Sequence, residues 1–338
     1  MHAHLTKKVG VLLVALGVAL GLAACGSSSS TSTTTSTPSS GPKVLKVALI
    51  APSATNDLAF TESMYSAIES LKTTEHLQIS VSANEFVVAD AANIIREYAS
   101  EGYNLVIAHG SQYGSTVEQL APLFPKVSFA WGTAGSTFGL KNVFAYEASS
   151  NEGGYVQGCM AAMLSKSHVL GVIGPIETGD AKLYVDGFVA GAKACDPTIT
   201  DHPVYTGSFS DDSLMATAAK TFVSDGADVL TGSSQSVVGA IGVVRADHLA
   251  WFSTQWSQAS LAPSNVVSAQ VYNWTPILTQ MITDIRSGVL GDATYVIGLG
   301  NGGEKIVFNP GYKLPATVKA RADTLITDIT DGSLTVPQ

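Results

Sequence analysis

The sequence predicts an α/β protein of two doubly wound parallel-sheet lobes joined by a hinge. Short β-branched runs alternate with amphipathic stretches from Lys43 onward, and the alternation restarts once near Gly154. Hydrophobic residues occupy 46% of the 338 positions, which is ample material for the cores of one large or two ordinary domains.

The first half of this region alternates strands with helices, the rhythm of a parallel sheet covered by helices on both faces. Its predicted strands are 44–51, 77–81, 104–108 and 127–131. Its predicted helices are 61–72, 89–100 and 115–123.

The second half repeats the alternation and adds a tail. The predicted helices are 154–165, 183–195, 214–225 and 237–247, and the predicted strands are 168–174, 204–207, 227–231 and 250–253. The tail contributes strands 266–271 and 294–299 and helices 276–287 and 315–330. We assign 43–147 and 269–291 to the N-terminal lobe, and 148–268 and 292–338 to the C-terminal lobe. Three crossing strands are expected to form the hinge, near Ala148, Ser268 and Leu299.

The N-terminus has the pattern of an export signal. Lys7 and Lys8 precede an apolar run that ends at Ala24, and small residues stand directly before Cys25. This junction resembles a lipobox, so we predict a lipoprotein signal peptide over 1–24 and a lipid-modified Cys25 that anchors an extracytoplasmic protein to the cell membrane. An ordinary cleaved signal peptide with an incidental Cys25 is the alternative. Residues 25–42 are rich in Ser and Thr, which predicts a disordered tether or an O-glycosylated stalk.

Charge and motif content exclude several function classes. The net charge of -9 disfavours nucleic acid and anionic membranes as partners. Nucleophile-elbow, zinc-protease and P-loop motifs are absent, and the glycine-rich run 298–303 precedes an extended stretch rather than a helix. The scattered histidines predict neither a metal site nor a cofactor, and His109 is expected to be structural. Cys159 and Cys195 fit a disulfide and two buried thiols about equally well.

Polar and aromatic residues follow the strands, where open parallel sheets bind their ligands. The loop after the first strand contains an Asn-Asp pair and an aromatic residue, although these could equally cap and staple the next helix. The candidate ligand-binding residues from these loops are Asn56, Asp57, Phe60, Ser111, Gln112, Phe209, Ser233, Ser234, Gln235, Gln255 and Trp256. Such uncharged hydrogen-bonding groups with interspersed aromatics favour a flat, neutral solute.

Five ordered segments resemble the basic membrane protein (Bmp) family of ABC-transporter solute-binding lipoproteins, the purine-nucleoside-receptor type. They are 56–60 (NDLAF), 152–158 (EGGYVQG), 188–194 (FVAGAKA), 225–229 (DGADV) and 260–263 (SLAP). The resemblance implies a type I periplasmic-binding-protein fold and a purine held between Phe60 and Phe209. It also implies that Asp57 hydrogen-bonds the ligand.

The sequence departs from this family where the ribose would bind. Residues 253–258 (STQWSQ) lack the family's carboxylates, Tyr272 replaces a Lys, and Asn301 follows a Gly where a Lys-Asp pair is typical. The segment Tyr272-Asn273-Trp274 resembles a branch that binds the free base, so a purine base is favoured over a nucleoside.

These observations together predict a non-enzymatic, monomeric solute-binding lipoprotein that delivers its ligand to an ABC permease and ATPase. The alternatives are a surface receptor that signals to a membrane kinase, an exported nucleoside-processing enzyme and a purely structural lipoprotein.

Overall fold

Two sheets organise residues 43–337, the part of the chain that the computed structural model describes. The predicted signal peptide (1–24), the lipidation site Cys25 and the tether (25–42) lie outside the described residues. The strands are β1 (Leu45–Ile50), β2 (Leu77–Ser82), β3 (Leu105–His109), β4 (Ser128–Gly132), β5 (Val143–Ala148), β6 (Val169–Gly174), β7 (Thr200–Asp201), β8 (Val204–Tyr205), β9 (Val229–Gly232), β10 (Ala250–Gln255), β11 (Val266–Tyr272), β12 (Ala293–Ile297) and β13 (Glu304–Phe308). The helices are α1 (Phe60–Leu71), α2 (Val88–Ser100), α3 (Gly114–Leu120), α4 (Ser150–Leu164), α5 (Gly179–Cys195), α6 (Asp212–Ser224), α7 (Val237–Ala246), α8 (Thr275–Ser287) and α9 (Ala316–Thr330).

The first lobe is built on an all-parallel sheet of order β12-β5-β4-β3-β1-β2. Every residue of β3 is buried, because helices cover both faces of the sheet. One core, under α1 and α8, contains Met64 and Met281, and the opposite core, under α2 and α3, contains Ile95 and Val117.

The second lobe has a sheet of order β13-β11-β10-β9-β6-β7, with β8 also paired to β6. Its strands run parallel except for β13, which is antiparallel to β11. One core lies under α4, α5 and α9, and the other lies under α6 and α7. The predicted fold class, two doubly wound α/β lobes, is therefore confirmed.

Helices α4 and α5 pack at backbone contact. A Cβ added at Gly158 would lie 1.9 Å from the Phe188 carbonyl oxygen, and one added at Gly191 would lie 2.0 Å from the Tyr155 carbonyl oxygen. Because only glycine permits this approach, the packing explains Gly158 in segment 152–158 and Gly191 in segment 188–194. Cys159 and Cys195 form a disulfide across the same helix pair, with their Cα atoms 5.2 Å apart.

The chain crosses between the lobes at three places. It leaves the first sheet after Ala148, returns from β11 to α8 after Tyr272, and leaves β12 for β13 through the short turn Leu299–Asn301. The three crossings are tied together, since Ser149 N–H donates to the Ile297 carbonyl at 2.8 Å and Asn273 N–H donates to the Gly303 carbonyl at 2.7 Å.

Two predicted boundaries differ from this arrangement. The prediction placed the second crossing at Ser268, but Ser268 lies within β11, which continues in the second sheet to Tyr272. The prediction also placed 292–338 in the C-terminal lobe, whereas β12 pairs with β5 in the first sheet. The first and third crossings lie near Ala148 and Leu299.

Within residues 43–337, no helix has the length and apolarity needed to cross a membrane.

Candidate functional site

A cleft with about 380 Å³ of empty space, which includes open solvent, lies between the two lobes. Both lobes contribute to its walls. The lining residues are Pro52, Phe60, Phe86, Gly110, Ser111, Gln112 and Thr133 from the first lobe, and Thr178, Asp180, Phe209, Gln235 and Gln255 from the second.

The lining residues come together because each follows or ends a strand. In the first lobe Pro52 follows β1, Ser111 follows β3 and Thr133 follows β4. In the second lobe Thr178 follows β6, and Gln255 is the last residue of β10. The carboxyl ends of parallel strands meet at one edge of each sheet, and the two edges face each other across the cleft.

Phe60 belongs to a cluster of aromatic rings. Its ring stacks on the His109 imidazole at a centroid distance of 3.7 Å and an interplanar angle of 10°. The Tyr146 ring is nearly parallel to the imidazole, with the two ring centroids 6.0 Å apart, and Trp274 contacts all three rings edge-on. Phe60 is 6% exposed and lines the cleft. The neighbouring rings therefore hold the phenyl ring in place while a small part of it remains accessible from the cleft.

Hydrogen bonds define the protonation of His109. Its Nε2 lies 3.1 Å from the Phe60 carbonyl oxygen, which can only accept, so Nε2 carries the proton. Its Nδ1 then accepts from the Tyr146 hydroxyl at 2.8 Å. Complete burial lowers the pKa of His109 from 6.5 to about 3, and the imidazole is therefore neutral at physiological pH. The expected structural role of this histidine agrees with these contacts.

Phe209 approaches the cleft from the opposite lobe. Its ring centroid lies 6.4 Å from that of Phe86, an exposed aromatic of the first lobe, with the planes tilted by 55°. The Ser234 hydroxyl donates to the Phe209 carbonyl at 2.8 Å and so fixes the backbone of this loop. Phe60 and Phe209 therefore both border the same interlobe cleft, each held from behind by its own lobe.

Asp180 is the one acidic residue among those of 43–337 that line the cleft. It lies in the first turn of α5, is 7% exposed, and accepts hydrogen bonds from the hydroxyls of Thr133 at 3.2 Å and Tyr272 at 3.1 Å. Burial raises its pKa, and the donors that surround it oppose that shift. Because Thr133 belongs to the first lobe, the carboxyl links the two lobes.

A second polar contact also crosses the gap, since the Gln258 side-chain amide donates to the Leu58 carbonyl at 3.2 Å. Gly179 permits the close approach of Thr133 to Asp180, because its φ is +53° and a Cβ there would lie 3.0 Å from the Thr133 hydroxyl. The lobes are thus in direct contact through two polar pairs.

Six predicted residues line the cleft: Phe60, Ser111, Gln112, Phe209, Gln235 and Gln255. Asp57 does not, because its carboxylate accepts from the backbone N–H groups of Ala59, Thr61 and Glu62 at 2.9–3.2 Å and caps α1. Asn56 is exposed on the same loop.

Six further predicted residues have other positions. Ser233 is buried, and the Ser234 hydroxyl bonds to the Phe209 carbonyl and to Ser236. Trp274 is fully buried and donates to the Ser63 hydroxyl at 2.9 Å, which makes it a core residue.

Trp256 and Tyr272 border a separate hollow next to α1, although the Tyr272 hydroxyl still reaches Asp180. Asn301 shapes the third crossing, where its side chain bonds to the backbone of Val296, Gly298 and Gly303.

The prediction missed six of the lining residues, namely Pro52, Phe86, Gly110, Thr133, Thr178 and Asp180. Thr133 directly follows β4, so inspection of every strand end would have found it. Asp180 was missed because the helix was predicted to begin at Leu183, whereas α5 begins at Gly179 and carries Asp180 into the cleft. No group of acidic, His or Cys side chains within 43–337 is suited to hold a metal ion.

Two α/β lobes that enclose a cleft at the carboxyl ends of their strands define the class of two-lobed solute-binding proteins. Residues 44–322 match the Bmp family, the PnrA-like substrate-binding proteins of ABC transporters, and the chain belongs to that family. The expectation of a binding protein rather than an enzyme is thereby confirmed.

Several relatives have similar lengths and folds. The chain is 28% identical to a purine-binding protein of Brucella abortus over 73% of this chain and 69% of the relative. It is 26% identical to the ABC transporter nucleoside-binding protein BmpA of Lactococcus lactis over 87% and 89% of the two chains. A solved ABC transporter solute-binding protein of Conexibacter woesei superposes with a TM-score of 0.72 at 25% identity, covering 87% of this chain and 98% of that one.

Proposed function

We propose that this protein captures a purine base, or a closely related flat heterocycle, between its lobes and presents it to an ABC permease. The observation that carries the proposal is the position of Phe60 and Phe209, which border one small cleft from opposite lobes. Paired aromatic faces hold a planar ring by stacking, and each such contact contributes roughly 0.5–1.5 kcal/mol beyond the burial of area.

The remaining lining supports a neutral ligand of modest size. Within the described residues, no Lys or Arg side chain lines the cleft, so a phosphate or carboxylate would find no counter-charge. Ser111, Gln112, Gln235 and Gln255 can orient ring nitrogens and exocyclic groups through hydrogen bonds. The purine-binding relative in Brucella abortus supports the same ligand class.

The free base is favoured over a nucleoside. A ribose diol is best held by a carboxylate that accepts from both hydroxyls, and Gln255 stands where the resemblance places such a group. Trp256, which follows it, borders a different hollow.

Delivery to a permease requires that closure around the ligand create a shape that the permease can recognise. The Thr133–Asp180 and Gln258–Leu58 contacts join the lobes in the structure described here and are suited to hold such a closed state. We further propose that the protein acts as a monomer outside the membrane, anchored through a lipid on Cys25, with a permease and an ATPase as its partners.

Isothermal titration calorimetry of the chain from Lys43 onward, with adenine, adenosine, ribose and glucose, tests the ligand class. We expect heat from the base, weaker binding of the nucleoside and none from the sugars. Heat from sugars alone would contradict the proposal.

Phe209→Ala should weaken base binding by roughly 10-fold, since one stacking face and its buried area are lost. Phe308→Ala is the matched control, because Phe308 is a partly buried phenyl of the same lobe that contacts Lys319 outside the cleft. Equal affinities in both variants would show that Phe209 does not stack on the ligand.

A further inference from the structure

A second hollow adjoins the interlobe cleft, and we call it the outer chamber. It has about 670 Å³ of empty space, which includes open solvent. Its lining residues are Phe86, Ser111, Gln112, Ile176, Thr178 and Phe209. All of them except Ile176 also line the cleft, so the two spaces share most of the outer chamber's walls. A ligand seated in the cleft can therefore extend into the outer chamber.

Three apolar side chains of the outer chamber come from both lobes. Phe86 follows β2 in the first lobe, whereas Ile176 follows β6 and Phe209 follows β8 in the second. Phe86 is 42% exposed and Ile176 is 37% exposed, although both are large hydrophobic residues. Single exposed apolar residues are ordinary, but several that line one hollow are typical of a binding surface. This grouping therefore points to a ligand contact.

Hydrogen bonds hold the segments that carry these side chains. The buried Tyr113 donates its hydroxyl proton to the Glu85 carbonyl at 2.7 Å, directly before Phe86. In the second lobe the Gly207 N–H donates to the Pro175 carbonyl at 2.7 Å, which ties the other two apolar segments together. Walls that are already fixed lose little freedom when a ligand binds, so more of the contact energy appears as affinity.

The outer chamber differs from the cleft in its charge. Asp180 lines the cleft, but within 43–337 no ionisable side chain lines the outer chamber. The neighbouring Glu177 lies 3.8 Å from the Lys182 ammonium group and is not a lining residue. The polar residues of the outer chamber are the neutral Ser111, Gln112 and Thr178 of the shared wall. An uncharged group fits this lining, and an apolar one gains most from the phenyl and isoleucine side chains.

We propose that the outer chamber is a second subsite that binds an apolar substituent of the heterocycle held in the cleft. The inference rests on the proposed function and extends its ligand class to purines that carry an uncharged alkyl or aryl group. Burying about 55 Å² of apolar surface corresponds to roughly a 10-fold gain in affinity. A phenyl group presents well over that area, so partial burial in an open chamber is sufficient.

Calorimetry with adenine, N6-benzyladenine and 9-benzyladenine tests the inference. The two derivatives carry the same group on different edges of the base, so both edges are compared with the unsubstituted ring. We expect at least one derivative to bind the wild-type protein roughly 10-fold more tightly than adenine does, because its benzyl group enters the outer chamber.

Two variants locate the benzyl group. Ile176→Ser removes the apolar wall that belongs to the outer chamber alone, so the affinity ratio of the favoured derivative to adenine should fall by roughly 3-fold or more. Val307→Ser is the matched control, since Val307 is a 45% exposed residue on β13 of the same lobe and lines neither space. It should keep the wild-type ratio.

The outcomes separate this inference from the proposed function. If adenine binds and neither derivative binds more tightly, the inference is overturned while the proposed function stands, and the apolar residues of the outer chamber are left as a contact surface for a protein partner. A gain that is equal in wild type, Ile176→Ser and Val307→Ser also overturns it, because the benzyl group then lies elsewhere. Failure of all three compounds to bind overturns the proposed function and this inference with it.

Discussion

Replacing His109 should reveal a proton-linked contribution to stability that is specific to this buried ring. Its pKa is about 3 in the folded protein and 6.5 in the unfolded chain, because burial excludes the charged form. The folded pKa is depressed, so the contribution is complete above pH 6.5. This contribution is lost as the pH falls from 6.5 toward 3, because His109 binds a proton in the unfolded chain but stays neutral in the folded protein.

The magnitude follows from the two pKa values. Each pH unit below 6.5 lowers the free energy of unfolding by about 1.36 kcal/mol. At pH 5.0, which is about one and a half units below 6.5, the free energy of unfolding is therefore about 2 kcal/mol lower than at pH 7.5. The imidazole is fully buried, so solvent does not screen this term. His109→Asn keeps an acceptor and a donor but removes the titrating ring, and it should be less stable at pH 7.5 because a cavity remains.

Urea unfolding of both proteins at pH 7.5 and pH 5.0 measures the effect. The stability difference between wild type and His109→Asn should narrow by about 2 kcal/mol at the lower pH. The free energy of unfolding of the variant is subtracted from that of wild type at each pH. The contributions of the buried carboxyl groups, which are the same in both proteins, cancel in this subtraction. The exposed His248 supplies the control, and the difference between wild type and His248→Asn should stay constant. The reasoning would be refuted if the stability difference between wild type and His109→Asn were the same at both pH values to within about 0.5 kcal/mol.

Three further perturbations have directions set by the structure. Replacing Cys159 and Cys195 together by Ala should lower the free energy of unfolding by about 2–4 kcal/mol in oxidising buffer, since the bond closes a 36-residue separation, and reduced wild type should match the variant. Gly158→Ala should cost about 1–3 kcal/mol or more, measured by urea unfolding, because the new methyl meets helix backbone at 1.9 Å; Gly242→Ala, at an open helical position, should not. Glu304 is 1% exposed, neither of its carboxylate oxygens has a partner within 43–337, and burial raises its pKa well above the ordinary value. Wild-type stability should therefore rise relative to Glu304→Gln as the pH falls from 7.5 to 5, and a constant difference would contradict this assignment.

The architecture could be predicted because it repeats. Two runs of alternating strand and helix encode two doubly wound lobes, and the apolar periodicity places most elements within a few residues, although β5, β7 and β13 were not predicted. The lobe membership of β12 could not be predicted in the same way. Its sequence specifies a strand but not a neighbour, and pairing with β5 depends on how α8 packs onto α1 in the first lobe.

The site was predicted less completely, for two physical reasons. An Asn-Asp pair before a helix is compatible with either a ligand contact or a helix cap. In this structure the Asp57 carboxylate accepts hydrogen bonds from backbone N–H groups at the start of α1. Trp274 carries both a polar N–H and a large apolar ring, and the core between α1 and α8 accommodated both. Phe60 and Phe209 both line the cleft, since the chain segments that follow β1 and β8 lead to it.

The three crossings have a consequence for how such a protein can be divided. The first sheet contains β12 from the C-terminal region, and the second sheet is completed by β13, so neither lobe is a continuous stretch of sequence. A single cut at Ala148 would leave one fragment without an edge strand and the other with a surplus one. Exchanging a lobe with a homologue therefore needs three junctions at once, and new ligand specificities are more accessible through changes in individual strand-end loops than through recombination of whole lobes.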